Sequence, residues 1–121
     1  MNNNIQQALK HDRVIDITTI GRKTKQPRRI EIWFHNINNC LYITGTPGRR
    51  SWYANLVATP EFTFHLKDSV QADLAARAIP IVAEDKRREV LTGILRNLDM
   101  ESELETWVEK SPLVQVELDM N

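Results

Sequence analysis

A single cysteine, three scattered histidines and no long apolar run are what this 121-residue chain has least of, and each scarcity removes a class of function. Cys40 has no partner for an internal disulfide. His11, His35 and His65 fall at none of the spacings, such as HExxH, that ligate a metal, so metal catalysis is not expected. No apolar stretch is long enough to span a bilayer. The opening MNNNIQQALKHD lacks the apolar centre and small-residue cleavage site of a secretory signal, which predicts a cytoplasmic protein. Repeats are missing, and low complexity is confined to NNN at the start. No Ser–His–Asp or Cys–His order suggests a nucleophile, so no catalytic side chain is assigned.

What remains is ordinary globular material. A chain of this length buries roughly two thirds of its unfolded surface, enough for a core, and residues 1–121 are expected to form one domain. The zero net charge conceals an asymmetry: residues 1–67 carry 10 Lys and Arg against 4 Asp and Glu, residues 68–121 carry 6 against 12. Halves of +6 and −6 suit an anionic ligand on the first half, or two subunits meeting with complementary fields, better than adhesion to nucleic acid.

Alternation predicts strands. In Val14–Ile20 the residues Ile15, Ile17 and Thr19 share a face, and in Arg28–His35 Ile30, Ile32 and Phe34 oppose Arg29, Glu31, Trp33 and His35. Asn36–Asn39 turns the second strand into a third, Cys40–Thr44. A short helix is expected at Ile5–Lys10. Another is expected from Trp52 to Ala58, with Ser51 as its N-cap and Pro60 as its stop. Alternating runs at 62–67 and 72–78 supply strands four and five. A helical stripe of Val90, Leu91, Ile94, Leu95 and Leu98 follows, then a further helical stretch from Met100 to Val108 and a last strand, Leu113–Leu118. The sum is an α+β fold, a small barrel of about six antiparallel strands with short helices after strands three and five.

Two loops could carry chemistry. GRKTKQPRR (residues 21–29) crowds five cations into a turn punctuated by Gly21 and Pro27, a shape that offers side chains and backbone N–H groups to a phosphate or polycarboxylate. GTPGRRSWYANL places Arg49 and Arg50 just before a helix start, where the helix dipole also favours an anion. Between them, the face Arg29, Glu31, Trp33, His35 with its neighbours Tyr42, Thr44 and Thr46 mixes aromatic area with few polar groups, as a planar heterocycle requires. The plain alternatives are a solvated loop and a half-exposed sheet.

These segments, TTIGRKTKQPRRIEIWF followed by LYITGTPGRRSWYANLVATPEFTFHL, resemble the deazaflavin-dependent nitroreductase (quinone reductase) family. That family belongs to the pyridoxamine phosphate oxidase-like split β-barrel group. Members show a Thr-Thr-x-Gly-Arg-Lys turn, Pro-Arg and a strand, a Gly/Ser loop, and a Trp-Tyr-x-Asn-Leu helix. The resemblance spans roughly residues 16–67. It implies a deazaflavin coenzyme or FMN, with the anionic tail on Arg22, Lys23 and Arg28. It places the ring along Ile30, Glu31, Ile32 and Trp33, and a second loop and helix in Thr46, Pro47, Arg49, Arg50, Trp52 and Asn55. Lys25 stands where members commonly carry glycine, and Glu31 where many carry an apolar residue or proline. The substrate-side tyrosine that members carry near the C-terminus has no counterpart, because Tyr42 and Tyr53 are the only tyrosines. Nitro-compound reduction is therefore not carried over.

The resemblance implies an oxidoreductase that passes hydride to a small quinone-like or other conjugated acceptor. Such a cofactor carries the redox chemistry while the protein supplies position and charge. It also implies a homodimer. The alternative on the same fold is a non-catalytic protein that holds a flavin, haem or other planar anion. A nucleic-acid module built on the basic turn is disfavoured by the acidic second half and the lack of aromatics within that run, and no membrane partner is expected.

Overall fold

Alternation of apolar residues does produce strands, and the strands close on themselves. The computed structural model describes residues 2–119. Helix α1 (Asn3–His11) leads into β1 (Val14–Ile20), β2 (Pro27–Ile37) and β3 (Cys40–Thr44). Helix α2 (Ser51–Ala58) precedes β4 (Glu61–Leu66) and β5 (Ala72–Pro80). Helix α3 (Glu84–Asn97), a 3-10 turn (Glu101–Glu103) and α4 (Leu104–Lys110) lead to β6 (Leu113–Leu118). All strand pairs are antiparallel, and the closed order is β1-β2-β3-β6-β5-β4. The α+β six-stranded barrel read from the sequence is the observed architecture.

Each strand sends alternate residues inward. Ile15 and Ile17 of β1, Phe34 of β2, Ile43 of β3, Phe64 of β4 and Val114 of β6 fill the interior, and Phe34 meets Phe64 edge to face with ring centroids 5.2 Å apart. Helix α1 packs Ala8 where β1 begins; α2 packs Trp52 and Leu56 where β1 ends. A second core lies outside the barrel wall, where Tyr42 and Leu113 meet the stripe Val90, Leu91, Ile94 and Leu95 of α3 and Trp107 and Val108 of α4. The stripe has the helical period because one face of α3 covers the sheet.

Strand β2 positions the site. One edge of residues 27–33 pairs with β1 along its full length, whereas the other edge is paired to β3 only from Phe34 to Ile37. Among the described residues no strand lies beside the second edge of 27–33. Its side chains are accordingly open on both faces: Ile30 is 37% exposed and Trp33 46%. The barrel is closed by its second half and split along its first.

Helix boundaries differ from expectation by a residue or two. At α2 the N-cap is Arg50 rather than Ser51, and it makes no side-chain cap bond because a guanidinium has no acceptor to offer the helix N–H groups; it donates instead to the carbonyls of Arg49 and Thr46. No described helix is long and apolar enough to cross a membrane.

Candidate functional site

The open edge of β2, the β1–β2 turn and the start of α2 enclose a groove of about 620 Å³, within the range of ligand pockets. Its lining combines Gly21, Arg22, Lys23 and Thr24 of the turn with Arg28 and Ile30 of β2 and Ser51, Trp52 and Asn55 of α2. The turn is tightly built. Gly21 N–H donates to the Gln26 carbonyl (2.9 Å) and Lys25 N–H to the Gly21 carbonyl (2.8 Å), while the Thr24 hydroxyl accepts from Gln26 N–H at 3.2 Å. A Cβ on Gly21 would sit 2.4 Å from the Thr24 hydroxyl oxygen, so a side chain there would push that hydroxyl off its bond to Gln26 N–H. Lys25 has φ of 61°, the left-handed region that glycine adopts without penalty and a lysine holds at a cost.

Asn55 ties this turn to α2. Its Oδ1 accepts from the Arg22 backbone N–H at 3.0 Å, and its Nδ2 donates to the Thr19 hydroxyl at 3.1 Å. Both ends of the buried amide are thus spent on the protein. Asn55 is a positioning residue: it fixes where Arg22 and Lys23 begin.

Arg22, Lys23, Lys25 and Arg28 have no ion-pair partner among the described residues. Arg29, one residue along and on the other face of β2, is the contrast. It donates to Asp16 (2.9 Å), which also accepts from Lys67 (2.7 Å), and Lys67 reaches Glu31 as well. The Lys67 ammonium, then the Arg29 guanidinium, hold the Asp16 carboxyl below the usual aspartate range. On the outer wall charges are neutralised in pairs; in the groove three cations, Arg22, Lys23 and Arg28, stand unpaired. With Ile30 and Trp52 as apolar walls, the groove offers positive charge for an anionic tail beside a surface for a planar ring.

The structure divides the sequence-predicted residues. Arg22, Lys23, Arg28, Ile30, Trp52 and Asn55 converge on the groove. Ile32 follows Ile30 on the same face but is taken up in barrel packing, while Glu31 and Trp33 point to the outer wall. Thr46 is stapled by Arg50. Arg49 and Arg50 line a neighbouring cavity of about 470 Å³ that Tyr53, Arg87 and Lys110 also reach, and neither Thr46 nor Pro47 lines the groove. Thr19 and Ser51, not singled out in the sequence, do line it. Thr19 is signalled by lying on the inward face of β1 next to the turn.

Comparison with known proteins is consistent with this geometry. A sequence model of the F420H2-dependent quinone reductase family matches residues 1–119. No curated protein matches. Among solved structures, a conserved hypothetical protein of Mycobacterium tuberculosis superposes with TM-score 0.73 at 16% identity, over 98% of this chain and 81% of that one. A putative pyridoxamine 5'-phosphate oxidase of Listeria innocua gives 0.69 at 12% over 96% and 91%. A structure described as an F420-H2 dependent reductase gives 0.61 at 22% over 88% and 95%.

Proposed function

Because the chain belongs to the F420H2-dependent quinone reductase family, we propose that its groove holds a reduced deazaflavin coenzyme and presents it to a small quinone-like acceptor. The observation that carries this reading is the set of unpaired cations on the β1–β2 turn and β2, set against the apolar walls Ile30 and Trp52. When bound, the coenzyme supplies a hydride, which with one proton from solvent takes a quinone to its hydroquinone. The chain's own residues do the rest. Lys23 and Arg28 grip the anionic tail, Arg22 adds charge from a backbone pinned by Asn55, and Ile30 and Trp52 give the ring a dry surface.

The test is anaerobic. Reduced deazaflavin coenzyme, mixed with the purified protein and a simple quinone such as menadione, should be oxidised much faster than without protein, and FMN should substitute poorly. Tight coenzyme binding without acceleration would replace this reading with a storage or sensing role.

The unpaired edge of residues 27–33, with Ile30 and Trp33 exposed, also supports a homodimer in which a second copy covers β2 near the groove. Light scattering behind size exclusion should give twice the 14.0 kDa chain mass at micromolar concentration. A monomer mass would remove the dimer.

A further inference from the structure

We propose that a polar cavity at the other end of the β1–β2 hairpin binds a phosphate-sized oxyanion, independently of the groove. The cavity, about 280 Å³, is lined by Lys10 and His11 at the end of α1, Arg13 before β1, His35 and Asn36 of β2, and Asn97 at the end of α3. It shares no residue with the groove. The groove lies where β1 ends and β2 begins, and the cavity where β1 begins, so the seven residues of β1 separate them by roughly 20 Å.

His35 is the feature that calls for a ligand. It is only 8% exposed, yet no described residue hydrogen-bonds either ring nitrogen. Its ring nitrogens open onto the cavity rather than onto a protein partner. The other buried histidine faces protein: His65 shares one hydrogen bond with the Thr18 hydroxyl and another with Asp73, each at 2.7 Å. His35 instead lines the cavity, and burial, then the nearby Arg13 guanidinium, lowers its pKa to about 4. At neutral pH its ring is uncharged and offers one N–H donor.

The surrounding charges select the ligand. Lys10 and Arg13 have no ion-pair partner among the described residues. Asp12, the one acid in the lining, keeps its negative charge and turns one oxygen, Oδ2, to the N–H (3.2 Å) and hydroxyl (3.1 Å) of Ser69. Asn36 is committed too, donating to the Leu9 carbonyl and accepting from Asn39 N–H, and α3 contributes the uncharged Asn97. Two free cations against one carboxylate leave the lining net positive, which with a neutral imidazole donor favours an oxyanion over a metal ion. The size, at the lower edge of ordinary ligand pockets, suits a free ion or a terminal phosphoryl group rather than an extended cofactor.

The experiment is a titration of the whole chain with inorganic phosphate at constant ionic strength, followed by the ring signals of His35 and His65 in NMR. The expected result is a saturable shift of the His35 signals at millimolar phosphate with those of His65 still. The His35 titration midpoint should rise, because the anion offsets Arg13. Arg13→Gln, a change at an exposed side chain, should weaken the effect about tenfold or more and leave coenzyme binding in the groove unchanged. Glycerol phosphate serves as the second arm. If it acts as phosphate does, the site takes the phosphoryl group of a larger molecule; if only phosphate acts, it takes the free ion. No saturable shift, an equal shift with chloride, or an unchanged response in Arg13→Gln would overturn the proposal.

Discussion

Arg87→Met is expected to cost about 3–5 kcal/mol, a fall of roughly 10–20 °C in melting temperature for a chain of this length. Arg87 lies on α3, is 9% exposed and has no carboxylate partner among the described residues. Its guanidinium donates to four backbone carbonyls: Val108 (2.8 Å), Ile81 (2.9 Å), Trp107 (3.2 Å) and Ser111 (2.6 Å). Three of these close the C-terminal end of α4, the negative end of its dipole, where a cation is favoured. The fourth anchors the segment leaving β5. One side chain therefore joins α3, α4 and the entry to β6. Methionine fills much of the volume but strands the Val108, Ile81 and Ser111 carbonyls, each at about 1–3 kcal/mol where water cannot reach, while that of Trp107 keeps the Ser111 N–H. Cavities on two sides of Arg87 admit some water, which keeps the total below the full sum. The same region already holds two buried polar atoms without partners, Trp107 Nε1 and Ser111 Oγ. Arg87→Lys should recover less than half the loss, because one ammonium cannot span four carbonyls. Arg88→Met is the control: its ion pair with Glu105 is exposed and screened by water, so its loss should move the melting temperature little. An Arg87→Met protein that melts within a few degrees of the Arg88→Met protein would show that Arg87 is not the tie.

That such a residue sits inside EDKRREV shows where the sequence stops being readable. Strands were legible because one inward face per strand imposes a period of two, and Ile15, Ile17, Phe34, Ile43 and Phe64 all obey it. The α3 stripe was legible for the same reason at the helical period. Arg87 lies four residues before Leu91 and three before Val90, so spacing alone places it on that stripe; its charge argues for solvent. Burial is decided by carbonyls of residues 81–111 that no local pattern announces. The groove behaves alike. Its cations were legible as a cluster around Gly21 and Pro27, and Ile30 as part of an apolar face. Which side of β2 faces the groove was not legible, because β2 lacks a partner along one edge and both faces are exposed. Glu31 and Trp33 therefore looked like ring neighbours, yet the ion pair with Lys67 holds Glu31 on the outer wall. Arg50 likewise looked like a free cation and is a loop staple.

Lys23→Ala or Arg28→Ala should weaken coenzyme binding ten- to a hundredfold, the worth of about 1.5–3 kcal/mol for a charge-assisted hydrogen bond. Both side chains line the groove, and neither has an ion-pair partner among the described residues, so removing either orphans no carboxylate. Folding of the empty protein should hardly change. Wild type should gain about 2.7 kcal/mol at a coenzyme concentration a hundred times its dissociation constant, several degrees in melting temperature. The alanine variants should reach that shift only at proportionally higher coenzyme. Arg28→Lys should lose nearly as much as Arg28→Ala, since gripping a phosphate or carboxylate with both arms requires the planar fork of a guanidinium. Arg29→Ala supplies the contrast from the next residue on the opposite face. It removes a partner of Asp16, lowers stability modestly and leaves coenzyme affinity alone. A purely structural turn predicts the reverse pattern for Lys23 and Arg28, with the empty protein melting lower and the coenzyme response intact. Alanine variants that bind deazaflavin as tightly as wild type would remove the basic turn from the site and leave the groove without a reason for its charge.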